Sequence, residues 1–338
     1  MSLLSVADLA TTFDAPTGPI RVVDGVSFTL APGETLGVVG ESGSGKTMLV
    51  RSIMNLLPRS AHIAPQSEIR LDGRDLTHMS RAELSRIWGP EIAMVFQDPL
   101  TALNPVRRIG VQLTDPIRRH LGLSKRAARA RAVDLLNEVG IPEPERRLDQ
   151  YPHQLSGGMR QRIVIAIALS CQPRLLIADE PTTALDVTVQ RQVLELLTRL
   201  QAEHRMAMVF ITHDLGVVSG VADHIAVMYA GQFVETGTAH EIFESVHHPY
   251  TDALLRSIPW VERPSTSELF AIKGHPPDPR HLPPGCRFAP RCAYRRDECL
   301  TGTVELTPAT RPPAEVRCRF PLTPTDEEGL SGHERGAQ

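Results

Sequence analysis

Two stretches near the start of the chain, residues 3–10 and 21–30, alternate apolar and polar side chains. That period of two predicts antiparallel strands with one buried face, and Pro16, Thr17 and Gly18 between them carry turn chemistry. The pattern then changes. Residues 35–39, 92–96, 175–178, 207–211 and 225–229 are short, nearly continuous apolar runs, which suit strands covered on both faces. Residues 69–73 read as a further strand ending in a turn. Met48, Leu49, Val50 and Ile53 have the spacing of the buried side of a helix. From Gln97 to about Ser170 the chain turns helical and polar. There Ser124 predicts the cap of a helix whose apolar positions are Ala128, Ala132, Leu135, Leu136 and Val139, with Gly140 as its stop. A helix over 187–202 separates two of the apolar strands, which is the grammar of a parallel α/β sheet. Beyond about Pro249 periodicity fades and prolines gather (Pro276, Pro277, Pro279, Pro283, Pro284, Pro290). This marks a boundary, and the polar residues from Thr323 onward have the composition of a disordered tail.

Composition narrows the classes without choosing among them. The 338 residues carry 41% hydrophobic and 22% charged side chains with a net charge of −3, so nothing in the overall charge suggests a nucleic-acid binder. The longest apolar run, residues 163–171, is about half of what a bilayer needs. The first residues lack the basic and apolar regions of a secretory signal. The expectation is a cytosolic chain that meets a membrane only through a partner.

The strongest chemical signal is Gly40-Glu41-Ser42-Gly43-Ser44-Gly45-Lys46-Thr47, a complete P-loop between the strand 35–39 and the helix that follows. Glycines let successive backbone N–H groups turn inward as an anion nest at a helix N-terminus. Lys46 is placed to reach the β- and γ-phosphates of a nucleoside triphosphate, and the Thr47 hydroxyl to ligate Mg²⁺. A glycine-rich turn that merely ends in Lys-Thr would not need the flanking strand and helix. Downstream, residues 175–180 form an apolar run ending in Asp179 and Glu180. The first carboxylate suits Mg²⁺, usually through water, and the second suits orienting or deprotonating the attacking water.

Leu155-Ser156-Gly157-Gly158-Met159-Arg160-Gln161-Arg162, with Gln97, Asp186 and His213, resembles the nucleotide-binding subunits of ATP-binding cassette (ABC) transporters over roughly residues 1–245. The resemblance implies an α/β P-loop NTPase cassette: a RecA-like core, N-terminal antiparallel strands and an inserted helical subdomain at about 97–171. It also implies a head-to-tail dimer in which Leu155, Ser156, Gly157, Gly158 and Gln161 meet the ATP held on the partner's P-loop. Gln97 would be the switch-loop glutamine touching Mg²⁺ and water, Ala184-Leu185-Asp186 the loop joining the two ATP sites, and His213 the γ-phosphate sensor. Phe13 is the candidate for stacking on adenine, with a plain hydrophobic role as the alternative. Every catalytic position is present, so the expectation is ATP hydrolysis.

Residues 98–105 (Asp-Pro-Leu-Thr-Ala-Leu-Asn-Pro), His248-Pro249-Tyr250-Thr251 with Ser257-Ile258-Pro259, and Pro284-Gly285-Cys286-Arg287-Phe288-Ala289-Pro290-Arg291-Cys292 resemble the dipeptide, oligopeptide and nickel permease ATPases. The expected organisation is a cassette over 1–248, a small irregular extension over 249–322 and a tail over 323–338. Cys171 reads as a small core residue. Cys286, Cys292, Cys299 and Cys318 are separated by five, six and eighteen residues. Four thiolates can hold a 4Fe–4S cluster or a tetrahedral Zn²⁺. The absence of paired CxxC knuckles and the presence of the cluster in some relatives favour iron, in a structural or redox-sensing role. The resemblance further implies a peripheral protein on the cytoplasmic face of the inner membrane. Its partners would be two integral-membrane permease subunits, a second ATPase subunit (a paralogue or a second copy) and, indirectly, an extracytoplasmic substrate-binding protein. A soluble ABC ATPase acting on ribosomes or DNA is disfavoured by the single cassette and the lack of a basic face. An exporter half is disfavoured by the extension. Nickel or another peptide-like cargo stays open beside peptides.

Overall fold

The computed structural model describes residues 2–16, 18–183, 185–258, 270–309 and 314–323. They fall into two compact units. One comprises Met1–Ser5, Thr29–Thr35 and Ile69–Ile211; the other comprises Val6–Phe28, Leu36–Glu68 and the chain from Thr212 onward. Apart from Thr323, the expected disordered tail over 323–338 lies outside the described residues, as do Thr17, Ala184 and Pro259.

The first unit is built on three parallel strands, Ile92–Val95, Leu175–Asp179 and Ala207–Thr212, with Val95 opposite Ala178 and Asp179 opposite Ile211. Every residue of the three is buried, as expected when both faces of a parallel sheet are covered. The crossover is the helix Val187–His204, started by the Asp186 side chain accepting from the Val189 N–H and ended at Arg205 in the left-handed region. The helical stretch resolves into the helices Pro99–Ala102, Ile109–Leu121, Lys125–Glu138, Pro144–Leu148 and Gly157–Leu169, with a 3₁₀ turn at Pro152–Gln154. Ser124 caps the third of these helices, and its buried face is Ala128, Ala132, Leu135 and Leu136, as the spacing predicts. Glu68–Leu71 and Arg74–Asp75 close a hairpin through Asp72 and Gly73, both at positive φ, the backbone of a type I′ turn. Cys171 is buried, its thiol pKa raised by burial.

In the second unit the strand Thr35–Val39 runs parallel to His224–Tyr229, which turns back antiparallel into Gln232–Thr238. Residues 11–13 of the strand Leu4–Phe13 pair with Ala61–Ile63, and Thr11 and Ser52 hydroxyls meet at 2.7 Å, tying that pair to the P-loop helix Lys46–Ile53.

The extension proves more regular than its proline content suggests. Pro249 stands at the first position of a helix, Pro249–Arg256, where its missing N–H is no loss. His248 caps that helix, its Nδ1 accepting from the Tyr250 N–H at 3.0 Å. Further on, Glu315–Val316 adds a strand to Gln232–Thr238, Val316 opposite Glu235, and Thr307–Pro308 pairs with it in turn. The Leu322 N–H then donates to the His247 carbonyl at 2.8 Å. Among the described residues no helix is long and apolar enough to cross a membrane.

Candidate active site

The P-loop leaves the strand Thr35–Val39 at Gly40, where no side chain can stand. At its φ of 157° a Cβ would lie 2.1 Å from the Met228 carbonyl oxygen and 3.0 Å from Ser44 Oγ. Gly45, at φ 107°, has the Val22 carbonyl 2.6 Å from where a Cβ would sit. The loop is thus packed onto neighbouring backbone, and the Gly231 N–H donating to the Ser44 carbonyl at 2.8 Å fixes it further. Ser42 and Gly43 face outward. Gly45 opens the helix with no side-chain cap, so its first-turn N–H groups keep their capacity for an anion. Buried Ser44 Oγ has no hydrogen-bond partner among the described residues. A buried hydroxyl in that condition is unfavourable unless a ligand satisfies it, and a phosphate oxygen does so. Lys46, itself buried, donates from Nζ to the carbonyls of Gly40 at 2.7 Å and Glu41 at 2.9 Å. The loop therefore fits a nucleoside triphosphate with Mg²⁺, by its uncapped helix, orphan hydroxyl and buried ammonium.

The first unit holds a second group of candidate residues. Asp179 ends its strand only 2% exposed. Glu180 follows with φ 47°, a strained conformation for a residue with a side chain. It is held there by its N–H donating to the Ile211 carbonyl at 3.0 Å. Its carboxylate Oε2 accepts from Gln97 Nε2 and from Thr183 Oγ1, both at 2.9 Å. Gln97 and Glu180, far apart in sequence, are thus brought into contact. The Thr183 bond carried no sequence signal.

Ser156 caps the helix Gly157–Leu169, accepting from the Met159 N–H at 3.3 Å. A Cβ on Gly158 would meet Val189 Cγ1 at 2.9 Å, so this glycine lets the helix approach Val187–His204 closely. Leu155 is buried, and Gln161 is 1% exposed with its Nε2 unpartnered among the described residues. Asp186 spends its side chain on capping Val187–His204. In the second unit His213 is exposed after the strand Ala207–Thr212, and Phe13 is half-buried at the end of its strand.

These arrangements are those of an ATP-binding cassette. The ABC transporter family model matches residues 23–183, and the model of the oligopeptide/dipeptide transporter C-terminal region matches 234–299. The oligopeptide transport ATP-binding protein OppD of Bacillus subtilis is 53% identical over 292 residues, covering 86% of this chain and 82% of that protein. The dipeptide transport ATP-binding protein DppD of Escherichia coli is 47% identical over 322 residues, covering 95% and 98%. Among solved structures, the dimeric cassette MJ0796 in a post-hydrolysis state bound to ADP and Pi superposes with TM-score 0.63 at 27% identity, covering 70% of this chain and 98% of that one. The chain belongs to the ABC transporter ATP-binding family, in its oligopeptide/dipeptide branch.

The expected metal centre is a correction. Cys286, Cys292, Cys299 and Cys318 line one cavity of about 20 Å³. All four are free thiols, and among the described residues no group of three or more His, Cys, Asp or Glu could hold a metal ion. Burial pushes the thiol of Cys286 up, that of Cys292 to about 11 and that of Cys318 to about 12. Neither the 4Fe–4S cluster nor Zn²⁺ is supported. The expectation rested on four clustered thiols without paired knuckles and on the cluster's presence in some relatives, and among the described residues side-chain packing orders this region instead. Phe288 packs edge-on to Tyr229 with ring centres 5.3 Å apart, and against Tyr250 at the same distance. Arg287 donates to the Ala230 carbonyl and pairs with Asp24.

Proposed function

We propose that this chain is the ATP-hydrolysing subunit of an importer that carries di- or oligopeptides across the cytoplasmic membrane. The observation that carries the reading is the simultaneous match of cassette and C-terminal region, at 53% identity over most of the chain, to an oligopeptide transport ATP-binding protein. Lys46 with Gly40, Ser42, Gly43, Ser44 and Gly45 would hold the phosphates, and Thr47, Gln97 and Asp179 would hold Mg²⁺, which supplies charge neutralisation on the phosphoryl group. Glu180 would orient or deprotonate the attacking water, His213 would stand at the γ-phosphate, and Phe13 would stack on adenine. Leu155, Ser156, Gly157 and Gly158 would present their helix N-terminus to the nucleotide of a second cassette, across which Asp186 would join the two sites. Gln161, whose Nε2 has no partner among the described residues, would join them toward that nucleotide. The proposed organisation is the cassette over 1–248, with helical subdomain 97–171, and the extension over 249–322. The chain would work peripherally on the cytoplasmic face, with two permease subunits, a second cassette and, indirectly, an extracytoplasmic binding protein.

Isolation of the tagged chain from its native membranes in mild detergent, with mass spectrometry of what accompanies it, tests this. Two permeases and a second cassette subunit are expected. Recovery with ribosomes or nucleic-acid proteins and no membrane partner overturns the transport reading.

A further inference from the structure

The one carboxylate within the P-loop, Glu41, is gripped from the C-terminal region at two points. Arg291 holds its side chain bidentately, Nη1 to Oε2 at 2.6 Å and Nη2 to Oε1 at 2.9 Å. The Glu41 N–H donates to the Tyr250 hydroxyl at 2.8 Å. Both grips are rigidly backed. The Arg291 side chain is 4% exposed and also donates to the carbonyls of Lys273 at 3.0 Å and Ile272 at 3.4 Å. Tyr250 is fully buried, its ring 4.6 Å from that of Tyr229. Glu41 in turn supplies one of the two carbonyls on which Lys46 Nζ rests.

Two physical consequences follow. A carboxylate in a loop that receives a triphosphate repels it unless neutralised, and a buried bidentate guanidinium neutralises it with a strong, directional pair. A backbone N–H committed to Tyr250 fixes the peptide orientation of the loop before any nucleotide arrives, which removes an ordering cost from binding. We propose that Arg291 and Tyr250 are positioning residues for the nucleotide site: the C-terminal region sets the charge and backbone frame of the P-loop, and thereby its affinity for Mg-ATP. The inference rests on the ATPase reading of the chain and is independent of its cargo.

The test is Mg-ATP binding to the purified full-length chain, followed with a fluorescent ATP analogue and competition by ATP, together with steady-state ATPase assays. Arg291→Ala is expected to weaken Mg-ATP binding roughly tenfold, raising KM while kcat at saturation changes by less than about threefold. The double variant Arg291→Ala with Glu41→Gln is expected to recover most of that affinity, because the unneutralised carboxylate is gone. Tyr250→Phe keeps the ring packing and removes only the hydroxyl, so it answers if Arg291→Ala does not fold; a several-fold rise in KM at unchanged thermal stability is expected. Wild-type affinity in both single variants overturns the proposal. So does an affinity loss in Arg291→Ala that the double variant does not restore, which would make the pair merely structural. A wild-type chain that binds no Mg-ATP would instead overturn the ATPase reading itself.

Discussion

At the scale of single residues, the chemistry is concentrated where a side chain is forced into an unfavourable state and then held there. Glu180 sits at positive φ with its carboxylate fixed by Gln97 and Thr183. If Glu180 is the general base proposed above, holding it in this way lowers the ordering cost of aligning the attacking water. Replacing it by Gln keeps the shape and removes the base. Turnover of Glu180→Gln is expected to fall at least about 100-fold with Mg-ATP affinity retained; near-normal phosphate release would remove Glu180 from the catalytic assignment. Ser44 is the complementary case: a buried hydroxyl without a partner among the described residues, in a loop whose helix N-terminus is also left uncapped. The motif spelling named Lys46, Asp179 and Glu180 from sequence alone. Thr183 and the two residues that grip Glu41 could not be read that way, because their roles depend on distances that no local pattern encodes.

At the scale of elements, the helix Pro249–Arg256 shows how a short segment can hinge on one titratable group. Its cap, His248 Nδ1, must be unprotonated to accept from the Tyr250 N–H. Burial holds the His248 pKa down at about 3, from an ordinary value of 6.5. With the folded value below the unfolded one, the stability contributed by the neutral ring is full above pH 6.5 and is lost as pH falls from 6.5 toward 3. Glu235 accepts from the backbone N–H groups of His247 and His248, and its carboxylate is raised by burial, so it acts with the opposite sign. Comparison with a non-titrating cap separates the two. Between pH 7 and 5 the wild-type Tm is expected to drop about 3 °C further than that of His248→Asn, measured by thermal melts; parallel curves would dismiss the cap as a pH-sensitive element. This helix was missed in the sequence because a proline-led segment of eight residues offers too little periodicity to see. The strands Thr35–Val39, Leu175–Asp179 and Ala207–Thr212 were legible for the opposite reason: burial on both faces leaves an unbroken apolar run. The cysteines misled because four clustered thiols have a chemical meaning in sequence that packing around Phe288 makes unnecessary.

At the scale of the whole molecule, the P-loop belongs to one compact unit, and the carboxylate pair with the Ser156-capped helix belongs to the other. The Ser156 helix would serve a second cassette, so nucleotide should govern association. With Mg-ATP the Glu180→Gln chain is expected to pass from monomer to dimer by size-exclusion with light scattering, and to remain monomeric with ADP; a chain that stays monomeric in both would assign the second cassette to a different polypeptide. The strand pairing of Val316 with Glu235 and the bond from Leu322 to His247 have another meaning at this scale. They fasten the far end of the C-terminal region back to its own starting point, so the intervening residues form a closed loop. The entropy of such a closure grows only as the logarithm of loop length, about 0.6 kcal/mol for each doubling. The two fastenings therefore make the length of the loop that carries Tyr250 and Arg291 a small item in its closure cost.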